Sequence, residues 1–262
     1  MDERRTWLRS SMQRTSTNLI GAYAHQSHTG YCPGNPHKSN QDSFIECVGV
    51  GPAKEFTLFA VCDGHGYYGG EVSQFVKHSF PVLLSSSPCL LSNPKKALTL
   101  TAHRVNAELY NQPFDISLSG TTMVSVLIRG NKLWCANIGD SRALLARLLK
   151  PNNSLSQNYR NWMAIALSRD HKASLPEENQ RILQQGGRVE AYTDEFGNQL
   201  GPARVWLKHE SLPGLAMSRS LGDGVCKTVG VVCDPELVEY TVCADDKFVV
   251  FVRQELKHAV AA

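Results

Sequence analysis

The sequence predicts an α+β fold in which antiparallel sheets pack against helices. Three observations lead there. Short apolar runs joined by turn residues fill the chain, two long stretches carry apolar residues at helical spacing, and there is no internal repeat or low-complexity tract. With 262 residues the chain suits one large domain or two small ones and can bury a substantial core. A hydrophobic content of 42% and a charged content of 19% are ordinary for a soluble globular protein. The net charge of +3 is small and argues neither for nor against an acidic partner. No apolar run approaches membrane-spanning length. The first nine residues lack a signal-peptide apolar region, and Met1-Asp2 rules out N-myristoylation. The expectation is a monomeric cytoplasmic or nuclear protein with no nucleic-acid or membrane partner.

The elements follow in order. Residues 1–17 are polar and basic and read as a flexible extension. Tyr31 to Asn40, with Pro33, Gly34 and Pro36, is a loop. Gln41 to Val48 leads into a strand, Gly49-Val50-Gly51-Pro52 is a turn, and Phe56 to Cys62 reads as a buried strand. From Glu71 to Leu84, Val72, Phe75, Val76, Phe80 and Leu83 recur at helical spacing. A second helix fits Pro94 to Tyr110, with Ala97, Leu98, Ala102, Val105 and Leu109 on one face. Met123 to Ile128 and Lys132 to Ile138 form a hairpin around Gly130-Asn131, and Ser141 to Leu148 is the next strand. Pro151 to Asn161 is a polar loop and Trp162 to Leu167 a strand. Pro176 to Gln185 starts with proline and two glutamates and stops at Gly186-Gly187, which is helix start and stop chemistry. Val229 to Val232 and Phe248 to Val252 read as short apolar strands.

The eight cysteines form no CxxC pair. Cys47, Cys62 and Cys135 lie in apolar runs and read as buried, reduced thiols; Cys226, beside Lys227, is a weak candidate for reactivity.

Asp63-Gly64-His65-Gly66, directly after a strand, is the most informative stretch. An aspartate at a strand end can aim a hard oxygen ligand into a cleft, and the glycine lets its own carbonyl come close. A histidine there adds a group that titrates near neutral pH. Asp42, Asp63 and Asp140 each sit beside a strand end, and carboxylates gathered this way can cage Mg²⁺ or Mn²⁺. Each alone also reads as a plain turn or capping residue, Asp170 as part of a helix-capping turn and Asp223 as a loop acid.

Taken together, several segments resemble the metal-dependent, type 2C protein serine/threonine phosphatases. They are Asn40-Gln41-Asp42, Phe59 to Gly66, Ser119-Gly120-Thr121-Thr122, Ala136 to Ala143, Ser168 to Lys172, Glu177 to Gly187, Leu215 to Asp223 and Asp234-Pro235-Glu236. The resemblance implies an αββα sandwich, two antiparallel sheets between helical layers, spanning residues 18–252. It implies a binuclear Mg²⁺ or Mn²⁺ centre at one edge and phosphoprotein substrates hydrolysed by metal-activated water. In that picture Asp63 bridges the metals, the Gly64 carbonyl binds one of them, and Asp42 holds metal-bound water. Asp140 helps place a weaker third ion, and His65 protonates the leaving oxygen.

Three departures stand out. The family often has a glutamate where this chain has Gln41, and a phosphate-binding arginine near the position of His37 and Lys38. Those two residues become the phosphate-binding candidates, with Lys38 acting as a point charge. Asp246 to Val250 resembles the family strand that runs into a further Asp-Gly metal motif, but the chain continues through Phe251, Val252 and Arg253 into a divergent tail, 253–262. Glu255 is the acid that remains there. The expectation is therefore a fold incomplete at its C-terminal side, with weak or absent activity and marginal stability. The competing expectation is a non-catalytic relative that binds phosphoproteins or a partner phosphatase.

Overall fold

The computed structural model describes residues 19–30, 38–149 and 161–253. Its elements, in chain order, begin with β1 (Asp42–Val50), β2 (Phe56–His65), α1 (Gly69–Ser85) and α2 (Pro94–Leu109). Then come β3 (Gly120–Thr121), β4 (Met123–Arg129), β5 (Lys132–Ile138), β6 (Arg142–Leu148), β7 (Trp162–Ala166) and α3 (Pro176–Gln184). The chain continues with β8 (Gly187–Thr193), β9 (Gln199–Leu207), β10 (Pro213–Leu215), β11 (Leu221–Gly222), α4 (Gly224–Lys227), β12 (Glu236–Thr241) and β13 (Asp246–Val252).

A seven-stranded antiparallel sheet runs β11-β3-β2-β4-β5-β12, with β1 also paired to β2. Side-chain alternation along its strands sorts residues between two faces. Met123 and Leu127 join the core under the helices, where Val72, Val76, Phe80 and Leu84 of α1 meet Ala97, Leu98 and Val105 of α2. Val124 and Val126 point the other way, onto Ala143, Leu145 and Leu167, with Val249 and Phe251 at the border. Those partners belong largely to a second sheet, ordered β13-β6-β7. Because both faces of β4 are covered, Met123 to Leu127 is buried without interruption. Full burial of a large apolar side chain contributes about 1.5–3 kcal/mol, so these two interfaces supply most of the favourable energy.

The α+β class and the antiparallel sandwich are as expected. The outer face of the second sheet carries no helix among the described residues, and Trp162 and Phe248 pack together there half-exposed. The two long helices begin and end within two residues of their expected limits. Asn93 caps α2 by accepting from the Lys96 amide, and Pro94 occupies the first turn, where it costs no hydrogen bond. The expected turn at Gly49-Val50 is absorbed into β1, which continues through an irregularity to Val50.

One strand needs correction. Val229 to Val232 makes only an isolated bridge, between Val232 and Arg219. Its apolar residues are used in packing instead: Val229 and Val231 lie in a small core with Ile182, Val205 and Cys226. The β8–β9 hairpin, closed by β10, was not anticipated. The loop from Pro151 lies largely outside the described residues, as do residues 1–17 and Glu255. Among the described residues no helix is long and apolar enough to cross a membrane.

Cys62 and Cys135 are buried as their sequence context suggests, while Cys47 is only half-buried. Burial pushes Cys62 and Cys135 up to about 12. Cys226 is also buried and its pKa is raised by that burial, so it lacks the exposed, electropositive setting of a reactive cysteine.

Candidate active site

Asp42 opens β1 and Asp63 nearly closes β2, and antiparallel register places them opposite each other. The backbone around them is tightly held. Thr122 receives the Asp63 amide on its hydroxyl at 3.1 Å and donates its own amide to the Asp63 carbonyl at 3.0 Å. The same hydroxyl bonds to the Ser141 hydroxyl at 2.8 Å, which ties the Asp63 strand to the turn bearing Asp140. Gly139 in that turn has φ of +106°, and a Cβ on it would meet Thr122 at 2.7 Å.

Gly64 is a point of close backbone approach. Its amide donates to the Gln41 carbonyl at 3.2 Å, and a Cβ would lie 2.2 Å from the Gly69 carbonyl oxygen. Gln41 uses its side chain structurally, donating to the Gly66 carbonyl at 2.7 Å, which clamps the Gly64–Gly66 turn. An amide suffices for that task, which accounts for a neutral residue at this position.

His65 is oriented by Asp223, which in the sequence is only a loop acid. Its Nε2 donates to Asp223 Oδ2 at 2.7 Å. Asp223 holds a left-handed φ of 52°, a conformation that costs a non-glycine residue about 1 kcal/mol or more. Burial opposes protonation of His65, but Asp223, with Asp63 and Asp140 behind it, outweighs burial and lifts the imidazole above its ordinary value. With Nε2 engaged, Nδ1 is the ring nitrogen left for chemistry. It is buried with no hydrogen-bond partner among the described residues.

Asp63 has its acidity strongly altered. Burial, then the facing Asp42 carboxylate, pushes its pKa up to about 6, while Arg253 pulls it down. Asp140 adds a repulsive contribution from further away. Asp140 is almost fully buried and ion-paired with Lys172. Its turn is fixed by His171, whose Nδ1 accepts from the Gly139 amide at 3.1 Å. Burial drives His171 down to about 3, so it is neutral and structural.

These residues open onto a cleft of about 240 Å³ lined by Lys38, Asn40, Gln41, Asp42, Asp63, Gly64, His65 and Arg253, among others. The structure thus brings together Asp42, Asp63, Gly64, His65 and Lys38. Asp140 is not in the lining, and His37 lies outside the described residues. Two functional neighbours were missed in the sequence. Asp223 is 158 positions from His65, and only the Leu221-Gly222-Asp223-Gly224 turn hinted at it. Arg253 directly follows an apolar strand, the same placement that drew attention to Asp63.

The oxygens of Asp63 and Asp42, beside the Gly64 backbone, are the hard donors that Mg²⁺ or Mn²⁺ takes. They make an incomplete cage: among the described residues no three His, Cys, Asp or Glu side chains converge as a metal-ligating group.

The antiparallel sandwich is shared with solved structures. The serine-threonine phosphatase 2C of Toxoplasma gondii matches with a TM-score of 0.67 at 20% identity, over 82% of this chain and 73% of that one. A sex determining protein of C. elegans matches with a TM-score of 0.58 at 21% identity, over 82% of this chain and 48% of that one. At such identities the likeness is one of fold. The sequence profile described as Protein phosphatase 2C matches residues 32–261, and the chain belongs to that family of serine/threonine phosphatases, which is metal-dependent in general. "Probable protein phosphatase 2C 35" of Arabidopsis thaliana is 34% identical over 87% of this chain and 67% of its own length. "Probable protein phosphatase 2C 48" of Oryza sativa subsp. japonica is 32% identical over 92% of this chain and 72% of its own length.

Proposed function

We propose that this chain hydrolyses phosphoserine and phosphothreonine in proteins with Mg²⁺ or Mn²⁺ held by Asp63 and Asp42. The observation that carries the reading is the convergence of two facing carboxylates and an oriented histidine on one cleft. A bound divalent ion would offset charge on the phosphoryl oxygens and make water more acidic. The chain's own groups do the rest. Asp63 and Asp42 would hold the ion, the Gly64 carbonyl adjoins them, and the negative charge of Asp140 behind them favours a cation there. Lys38, on the cleft wall, meets the phosphate as a point charge. As water adds to phosphorus and the bond to the serine or threonine oxygen breaks, that oxygen takes its proton from His65 Nδ1. Asp223 holds the ring by its other nitrogen, Nε2, which leaves Nδ1 without a partner among the described residues.

The test is Mn²⁺-dependent release of phosphate from a phosphothreonine peptide. Asp63→Asn is expected to abolish it. His65→Gln is expected to slow the peptide about 10²–10⁴-fold more than p-nitrophenyl phosphate, whose leaving group needs no proton. Equal slowing of both substrates assigns His65 a structural role. A second reading, a non-catalytic phosphoprotein-binding relative, is favoured by one observation: a cation of the chain itself sits on Asp42. Its signature would be phosphopeptide binding without turnover at any Mn²⁺ concentration.

A further inference from the structure

We infer that Arg253 is the resident cation of the acidic cleft, so that a divalent ion binds only by displacing its guanidinium from Asp42. The inference rests on the metal-site reading above and adds what sets the affinity of that site.

Arg253 follows β13, the edge strand of the second sheet, and reaches the end of the first sheet, where Asp42 and Asp63 face each other. Its Nη1 lies 3.4 Å from both Oδ1 and Oδ2 of Asp42. The two side chains keep only 18% and 13% of their exposure, so water screens this pair far less than an ion pair on open surface. Arg253 also lies in the field of Asp63. The neighbouring aspartates have cations of their own. Asp140 is engaged by Lys172 and Asp223 by His65. The cleft lining sets Lys38 and Arg253 against Asp42 and Asp63, so its formal charge is balanced by the chain itself.

A divalent cation needs carboxylate oxygens that can turn to it and a site with surplus negative charge. Arg253 removes both at Asp42, by occupying its oxygens and by placing a permanent positive charge beside the metal position. Arginine stays charged across the accessible pH range, so this competitor is not removed by raising the pH. The geometry therefore makes Arg253, beside the aspartates, a determinant of how much Mn²⁺ or Mg²⁺ the chain takes up.

Calorimetric titration of Mn²⁺ into the parent chain and into Arg253→Met, Arg253→Gln, Arg253→Lys and Asp63→Asn tests this. Folding of each is checked by its thermal transition. The neutral variants are expected to bind Mn²⁺ at least tenfold more tightly than the parent. Arg253→Lys should stay within about threefold of the parent, and Asp63→Asn should not bind. A measurement on the unmutated chain guards against variants that fail to fold. The Nε–H resonance of Arg253, assigned by ¹⁵N-arginine labelling, is expected to shift as Mg²⁺ is added, and a resonance that does not move overturns the inference. Unchanged affinity in folded neutral variants, with binding still dependent on Asp63, also overturns it and leaves the metal-site reading intact. No Asp63-dependent binding in any variant overturns both.

Discussion

Asp63 is held in a state its own chemistry disfavours. It is partly buried opposite a like charge, and its pKa is pushed from near 3.8 up to about 6. The folded chain therefore binds more protons than the unfolded chain between those values, and the stability it contributes at low pH is lost as pH rises through about 6. Asp63→Asn removes this penalty while removing a proposed metal ligand. In EDTA at pH 7.5 the variant is expected to be more stable than the parent by about 1–3 kcal/mol, and at pH 3.5 the gain should vanish. Urea unfolding at the two pH values measures this, and an equal gain at both would show that the charge of Asp63 is not its source. Stability surrendered at a functional carboxylate is a common pattern in enzymes. Here it makes metal-free stability a report on the site.

At the scale of elements, α3 is anchored by a single buried carboxylate. Glu178 accepts two bonds from Arg181, at 2.9 and 2.7 Å, and one from Arg219 Nη2 at 2.7 Å, and Ser218 donates a further one. Burial would raise its pKa, but these donors overcome burial and hold it below the usual carboxylate range. Glu178→Ala would leave two guanidinium groups without their carboxylate, holding only backbone carbonyls, and the expected loss is about 3–5 kcal/mol by urea unfolding. A loss under 1 kcal/mol would mean that the arginines find other acceptors. The anchor was visible in the sequence only as a glutamate in a first helical turn. The hairpin that follows it was not visible at all, for a physical reason. Most of β8 and the first half of β9 are exposed or half-exposed on both faces, so neither run has the alternation that marked β4 and β5. Its turn is made by Asp194, which accepts from the Phe196 and Asn198 amides, a local signal within a polar stretch. The long helices and central strands were legible because each buries a continuous stripe or face.

Across the whole molecule the site depends on contacts that no local window contains. Asp42, Asp63, Gly64 and His65 could be read from strand ends and from the family likeness. The His65–Asp223 bond and the Arg253–Asp42 pair span 158 and 211 positions. They exist because β11 pairs with β3 beside β2, and because β13 ends near the edge where β1 begins. Residue type alone made Asp223 and Arg253 ordinary polar positions; topology gives them their neighbours.

The facing of Asp42 and Asp63 has a consequence in time as well as in charge. It is the terminal rung of the β1–β2 ladder, and one hydrogen bond beyond it, from the Gly64 amide to the Gln41 carbonyl, closes the end. Rungs at the end of a ladder open and close most often, and repulsion between two carboxylates favours the open form. An ion shared between them would favour the closed form, so the hairpin end acts as a latch whose breathing rate follows ion occupancy. Deuterium uptake at the Gly64 amide is expected to slow when Mg²⁺ is added, while uptake at Leu58, deep in the same strand, stays unchanged. Uptake that slows equally at both positions would mean that the ion tightens the whole domain and that the latch does not open on its own.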